Sequence, residues 1–145
     1  LLLKLKELSE PMPCATILAS PWLDLTGTSP SITTNAHRDS GLNWTALLAP
    51  AVDAYVGDND VRNPFISPVF ADVNGNFPPA LIQVGDVEIL LDDSRQLAHN
   101  LQNAGHEVKL SIWLGMIHGW HMYRIMPEAR DAIHEMSAFI RQHQP

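Results

Sequence analysis

The chain has 145 residues, 46% of them hydrophobic, and a formal net charge of −7. That length builds one domain with a real core, and an acidic balance without a basic run excludes nucleic acid and anionic membrane as natural partners. One cysteine, Cys14, rules out an intrachain disulfide, and no stretch reaches the ~20 apolar residues of a membrane span, so a cytoplasmic protein is expected.

The opening Leu1-Leu2-Leu3-Lys4-Leu5-Lys6 lacks the long apolar region and small-residue cleavage site of a signal peptide. Residues 1–8 read instead as the end of a helix stopped by Pro11 and Pro13. With no cap before it, that helix implies a cut inside an element. Cys14 precedes an apolar run and is expected to be a buried, inert thiol. Residues 15–19, bounded by Pro13 and Pro21, predict a short buried strand.

Residues 20–43 are rich in Ser, Thr, Asn, Gly and Pro and predict a long excursion, with residues 26–50 contributing to a cap or lid. Asn43 is an N-cap candidate for a helix ending at Gly57. A proline-rich loop leads to a second strand over 80–84 and a turn, Gly85-Asp86-Val87-Glu88. A helix from 89 or 90 to 104 follows, with Leu90, Leu97 and Leu101 as its apolar stripe and Gly105 just past its end. Residues 107–114 alternate Val108, Leu110, Ile112 and Leu114 and predict the third strand. The last helix starts at Pro127, with Ala129, Ile133, Met136 and Ile140 as its buried face. Strands alternating with helices predict a parallel sheet with right-handed crossovers.

In such sheets functional groups gather past the carboxyl ends of strands. Two turns qualify: one carries Asp86 and Glu88, the other is Gly115-Met116-Ile117-His118-Gly119-Trp120. A carboxylate bound to one imidazole nitrogen fixes the tautomer and leaves the other nitrogen as a base, which then needs a hydroxyl or thiol to act on. Either acid fits this requirement, and spacing alone makes a weak case, since a histidine in a turn is more often solvated or capping. His118 and His121 stand three apart, but no Cys or His cluster completes a metal site, and no metal or organic cofactor is expected. His37 and His121 read as loop residues, His99, His106, His134 and His143 as surface residues, and Asp92, Asp93 and Ser94 as solvated residues of a helical first turn. Asp24 reads as a loop brace and the tryptophans chiefly as packing. Gly57, Gly75 and Gly85 read as turn glycines.

Several segments resemble the hormone-sensitive-lipase-like esterases, a branch of the α/β-hydrolases. Ser20-Pro21-Trp22-Leu23-Asp24-Leu25 is similar to the family's S-P-W-x-D-L, and residues 62–72 are similar to its N-P-x-x-S-P-x-x-A-D stretch. Residues 78–85 resemble the strand leading to the triad acid, and residues 115–120 the G-x-x-H-x-F/W turn. These segments occur in the family's order and cover nearly the whole chain. The resemblance implies the C-terminal part of an α/β-hydrolase fold. It implies His118 as the triad histidine and Glu88, 30 positions earlier, as the acid, in place of the family's commoner Asp. Asp86 is the alternative acid. Trp120 and Ile117 are expected to line the substrate pocket.

The family's G-x-S-x-G nucleophile elbow does not occur in this sequence. The resemblance therefore implies that the serine and oxyanion donors belong to an N-terminal half that partners this chain. The intact protein is expected to hydrolyse small carboxylic esters with short acyl chains. The alternative is a catalytically inert folded fragment, or a module that self-associates. A homodimer through Glu107–Leu114 and Pro127–Arg141 is a further expectation.

Overall fold

The computed structural model describes residues 1–144. Eight elements follow one another: α1 (Leu2–Glu7), β1 (Thr16–Ala19), α2 (Pro30–Thr34), α3 (Ala49–Val56), β2 (Ala80–Gly85), α4 (Leu91–Asn103), β3 (Val108–Trp113) and α5 (Pro127–His143). The strands form one parallel sheet in the order β1-β2-β3, with Thr16 opposite Ala80 and Ala80 opposite Val108. Parallel neighbours require crossovers, and α4 supplies the one between β2 and β3.

β2 is the central strand and is buried at all six positions, as a strand covered on both faces must be. Successive side chains alternate between faces. Ala80 and Ile82 join Leu97, Ala98 and Leu101 of α4 in the main core, with Leu23, Val69 and Val73. On the other face Gln83 meets α5. A second cluster joins Ile32 and Leu48 to Ile89 and Leu90. A third joins Met116 and Trp120 to Ala129 and Ala132 of α5.

Several expectations are corrected. Within this chain strand β1 is half-buried where a buried strand was expected, at one side of the three strands. Cys14, before it, is exposed. The polar excursion contains a short helix, α2, started by Pro30 at its first turn. Asn43 does cap the next helix, its side chain accepting from Ala46 N–H, but the first turn, Trp44–Leu48, is a π-turn. The buried face of α5 is Ala129, Ala132 and Phe139, while Ile133 is 47% exposed and Ile140 also faces out. The helix is rotated so that small alanines lie against the sheet. His106 and His143 are not simple surface residues: each reaches a backbone carbonyl, that of Val73 and of Phe139. Among the described residues, no helix is long and apolar enough to cross a membrane.

Candidate active site

Three strand ends converge. Ser20 follows β1, Glu88 sits in the turn after β2, and His118 sits in the turn after β3. Glu88 is fully buried. A buried carboxylate must be hydrogen-bonded or its desolvation is prohibitive. Its Oε1 accepts the Ser20 hydroxyl at 2.7 Å and the Gly85 N–H at 2.6 Å, and its Oε2 lies 3.0 Å from His118 Nδ1. An ionised carboxylate only accepts, so Nδ1 donates and Nε2 of the neutral ring is left as the acceptor. The His118 side chain keeps 32% exposure, and its Nε2 makes no hydrogen bond among the described residues. The result is a half-buried imidazole held at Nδ1, with Nε2 unpartnered among the described residues.

The acid turn is held from the excursion. Asn35 Nδ2 donates to the carbonyls of Asp86 (3.0 Å) and Glu88 (2.8 Å). Asp39, also buried, accepts Ile89 N–H through Oδ2 and the N–H groups of Gly41 and Leu42 through Oδ1. Ser31 donates its hydroxyl to the Ile89 carbonyl. Gly41 lies against His118, where an added Cβ would stand 3.5 Å from the histidine's Cβ.

Asp86, the alternative acid, does not reach His118. Its Oδ1 accepts Gly115 N–H at 2.6 Å and its Oδ2 pairs with Arg38 at 3.1 Å. It straps the acid turn to the histidine turn instead. Asp92 and Asp93 are not solvated helix-start residues. Asp93 is buried and accepts Leu23 N–H, Asp24 N–H and the Ser29 hydroxyl; burial pushes its carboxyl above the ordinary range, against those hydrogen bonds. Asp92 accepts Ser31 N–H and pairs with Arg95. Ser94 is buried too. Asp24 braces its loop as expected, accepting from Thr26 N–H and hydroxyl.

Trp120 is not a pocket wall. It is fully buried, at a ring distance of 6.1 Å from Trp113, and it fills the space between the histidine turn and α5. Ile117 is half-buried on the same turn. His121 is no free loop residue: Nε2 lies 3.1 Å from Gln83 Oε1, and burial holds its pKa below the ordinary histidine value, Glu88 opposing and His118 adding to the effect. Among the described residues, no group of three or more His, Cys, Asp or Glu side chains is arranged to hold a metal ion.

Ser20, Asn35 and Asp39 escaped sequence reasoning as site residues. Ser20 was legible only as the residue just past a strand end. Asn35 and Asp39 lie about 50 positions from the turn they hold, within a polar loop of weak periodicity.

A family model described as alpha/beta hydrolase fold matches residues 1–122. An acetyl-hydrolase of Streptomyces hygroscopicus is 40% identical over 94% of this chain and 46% of its own length. An esterase of Acinetobacter venetianus is 39% identical over 94% and 45%. Among solved structures, a hormone-sensitive lipase from a metagenome library superposes with a TM-score of 0.93 at 39% identity, covering 98% of this chain and 48% of that one. An esterase from the bacterial hormone-sensitive lipase family gives 0.93 at 37%, with the same coverage. The chain thus spans about half the length of the relatives it matches. Its sheet, its turns and these likenesses agree: the chain belongs to the α/β-hydrolase fold family, in the hormone-sensitive-lipase-like branch of esterases.

Proposed function

We propose that this chain supplies the histidine and acid of a serine carboxylic ester hydrolase acting on small esters with short acyl chains. The observation that carries the reading is the buried Glu88 carboxylate on His118 Nδ1, with Nε2 free. The esterase and acetyl-hydrolase names of the relatives support the substrate class.

The serine is supplied by an N-terminal half outside this sequence. His118 Nε2 takes the proton from the serine hydroxyl as its oxygen attacks the ester carbonyl carbon. The tetrahedral adduct collapses, breaking the carbonyl carbon–alkoxy oxygen bond, and His118 returns the proton to the departing alcohol. Water, deprotonated by the same nitrogen, then cleaves the acyl-enzyme and releases the acid and the serine. Glu88 stays ionised throughout and stabilises the imidazolium. Ile117, half-exposed beside His118, lines the substrate side. Residues 26–50 form a cap-side excursion, a role supported by the bonds from Asn35 and Asp39 to the acid turn. A cytoplasmic location belongs to the same reading, consistent with the lone free thiol.

The test is hydrolysis of 4-nitrophenyl butyrate by the intact protein, by this chain alone, and by His118→Ala versions of each. Turnover by the intact protein that His118→Ala abolishes is expected, with this chain alone inactive. Turnover by this chain alone that depends on His118 would place a nucleophile inside it and overturn the division of labour.

A homodimer through β3 and α5 is supported by a separate observation. β3 is an edge of the sheet, Leu114 just past it is 82% exposed, and Ile133 and Ile140 are exposed on α5. Unpaired strand edges beside apolar patches invite pairing. Sedimentation of the wild-type protein and Leu114→Glu checks it: a dimer that the charge dissociates is expected, and a wild-type monomer sinks the idea.

A further inference from the structure

Gln83 is a polar residue in the middle of a fully buried strand. Such a residue persists only with its hydrogen bonds met. Its Nε2 donates to the Ala132 carbonyl and to the Glu135 carboxylate, both on α5. Both partners only accept, so the amide cannot be turned round, and Oε1 is the atom that faces His121. His121 Nε2 lies 3.1 Å from that oxygen and must carry the proton. Glu135 is itself held by Ser111 Oγ at 2.7 Å and Lys109 Nζ at 2.8 Å, from the neighbouring strand β3. The His121 ring also lies 3.7 Å from that of Trp120 at 30°.

The histidine turn is therefore tied to β2 and the turn after it by three side-chain bonds, the first being Gly115 N–H on Asp86. His118 is held by Glu88 in the turn that follows the strand, and His121 by Gln83 in the strand itself. Gly119, in the left-handed conformation at φ 70°, joins the two tied segments. The Gly115 and His118 ties both reach the acid turn and lie before Gly119, whereas the His121 tie is the one beyond it. Of these two histidines, only His118 is left with an unoccupied Nε2.

We propose that His121 and Gln83 are positioning residues for His118: the His121 Nε2–H···Oε1 Gln83 bond, backed by Glu135, fixes the turn so that His118 Nε2 stays aimed at the reacting centre. The role rests on the ester-hydrolase reading. Misplacing a catalytic group by about 1 Å costs up to about a hundredfold in rate, so a loosened turn is read out in kcat.

The test uses the intact protein, with active sites counted by a serine-reactive phosphonate. His121→Phe keeps a ring against Trp120 and removes the donor; His121→Gln restores an N–H donor. Expected are a fall of about tenfold in kcat per active site for His121→Phe with KM nearly unchanged, the same for Gln83→Leu, and recovery to within about threefold for His121→Gln. A kcat per active site unchanged in His121→Phe overturns the proposal, as does His121→Gln no better than His121→Phe. The wild-type protein gives an independent readout that needs no variant: nitrogen-15 NMR of its histidines should show His121 protonated on Nε2 at neutral pH, and a ring protonated on Nδ1 alone overturns the proposal. A wild type that hydrolyses no ester sinks the ester reading instead, whereas an active wild type with an unaffected His121→Phe sinks the positioning role alone.

Discussion

The end of β2 touches the histidine turn at a single crowded point: a Cβ built on Gly85 would stand 1.7 Å from the carbonyl oxygen of Met116. No real side chain tolerates that distance from backbone, so only glycine lets the acid turn and the histidine turn approach. Gly85 is the last residue of β2 rather than a turn glycine. Its N–H also donates to Glu88, so the same residue sets the spacing and holds the acid.

Gly85→Ala is therefore expected to destabilise the fold by about 3 kcal/mol, at the upper end of ordinary overpacking. It should also lower turnover of the intact protein by more than about tenfold, since the two turns must separate. Urea unfolding and ester hydrolysis check the two effects separately.

Glu88→Gln keeps the shape of the side chain and removes its charge. It is expected to lower kcat by about a thousandfold or more, because the imidazole loses both its tautomer and the stabilisation of its charged form. Asp86→Asn, which loosens the strap to Gly115 and Arg38 without touching His118, should cost less than about tenfold. Steady-state kinetics on the two variants distinguish the acids, and the reverse ranking would reassign the role to Asp86.

Ser20→Ala removes one hydroxyl donor from a buried carboxylate. Hydrogen bonds to charged groups contribute about 1.5–3 kcal/mol, so a loss in that range is expected from thermal or urea unfolding. Ser20→Thr retains the donor and should recover part of that loss. Equal losses in the two variants would mean that the hydroxyl is not what matters.

Acid should weaken the anchor beneath the histidine turn in two ranges. Burial holds His121 below its ordinary pKa. The unfolded chain then binds the proton first, and stability falls as pH drops from the ordinary histidine value toward the folded one. Glu135 is pushed up by burial, but hydrogen bonds from Lys109, Ser111 and Gln83 and the Lys109 charge outweigh this, leaving it below its ordinary value. Its contribution is present above the unfolded value and is lost as pH falls through the folded one. Thermal melts of wild type and Glu135→Gln between neutral pH and about pH 3 should show a wild-type advantage that shrinks toward acid. An advantage independent of pH would mean that Glu135 is held by shape rather than charge.

Local pattern carried much of the architecture. The alternation of apolar runs with helical stripes determined that strands and helices succeed one another, and Gly105 and Pro127 marked helix boundaries that the structure keeps, Gly105 at φ 83° and Pro127 as the first residue of α5. The placing of Glu88 and His118 in turns after successive strands was also legible, because strand ends in a parallel sheet lie side by side. The turn's own residues left Glu88 and Asp86 equal, and only the family resemblance favoured Glu88; in the structure one side chain is buried and the other pairs with Arg38 at the surface.

Only the tertiary structure decided which polar residues are buried and what they hold. Asp93 reads as part of a solvated helical turn until the segment after β1 brings the N–H groups of Leu23 and Asp24 onto its carboxylate. Ser20 meets Glu88 across 68 positions, and Gln83 meets Glu135 across 52. Nothing local encodes such pairs, since neither residue needs the other until the chain has folded. The rotation of α5 follows the same rule: periodicity limits a helix to a stripe, but the volume left by Gln83 and Trp120 selects the alanine face over the isoleucines. Sequence thus determined the order of the elements, which depends on neighbours along the chain. Folding determined the pairing of His118 with Glu88, which depends on desolvated groups brought together from distant segments.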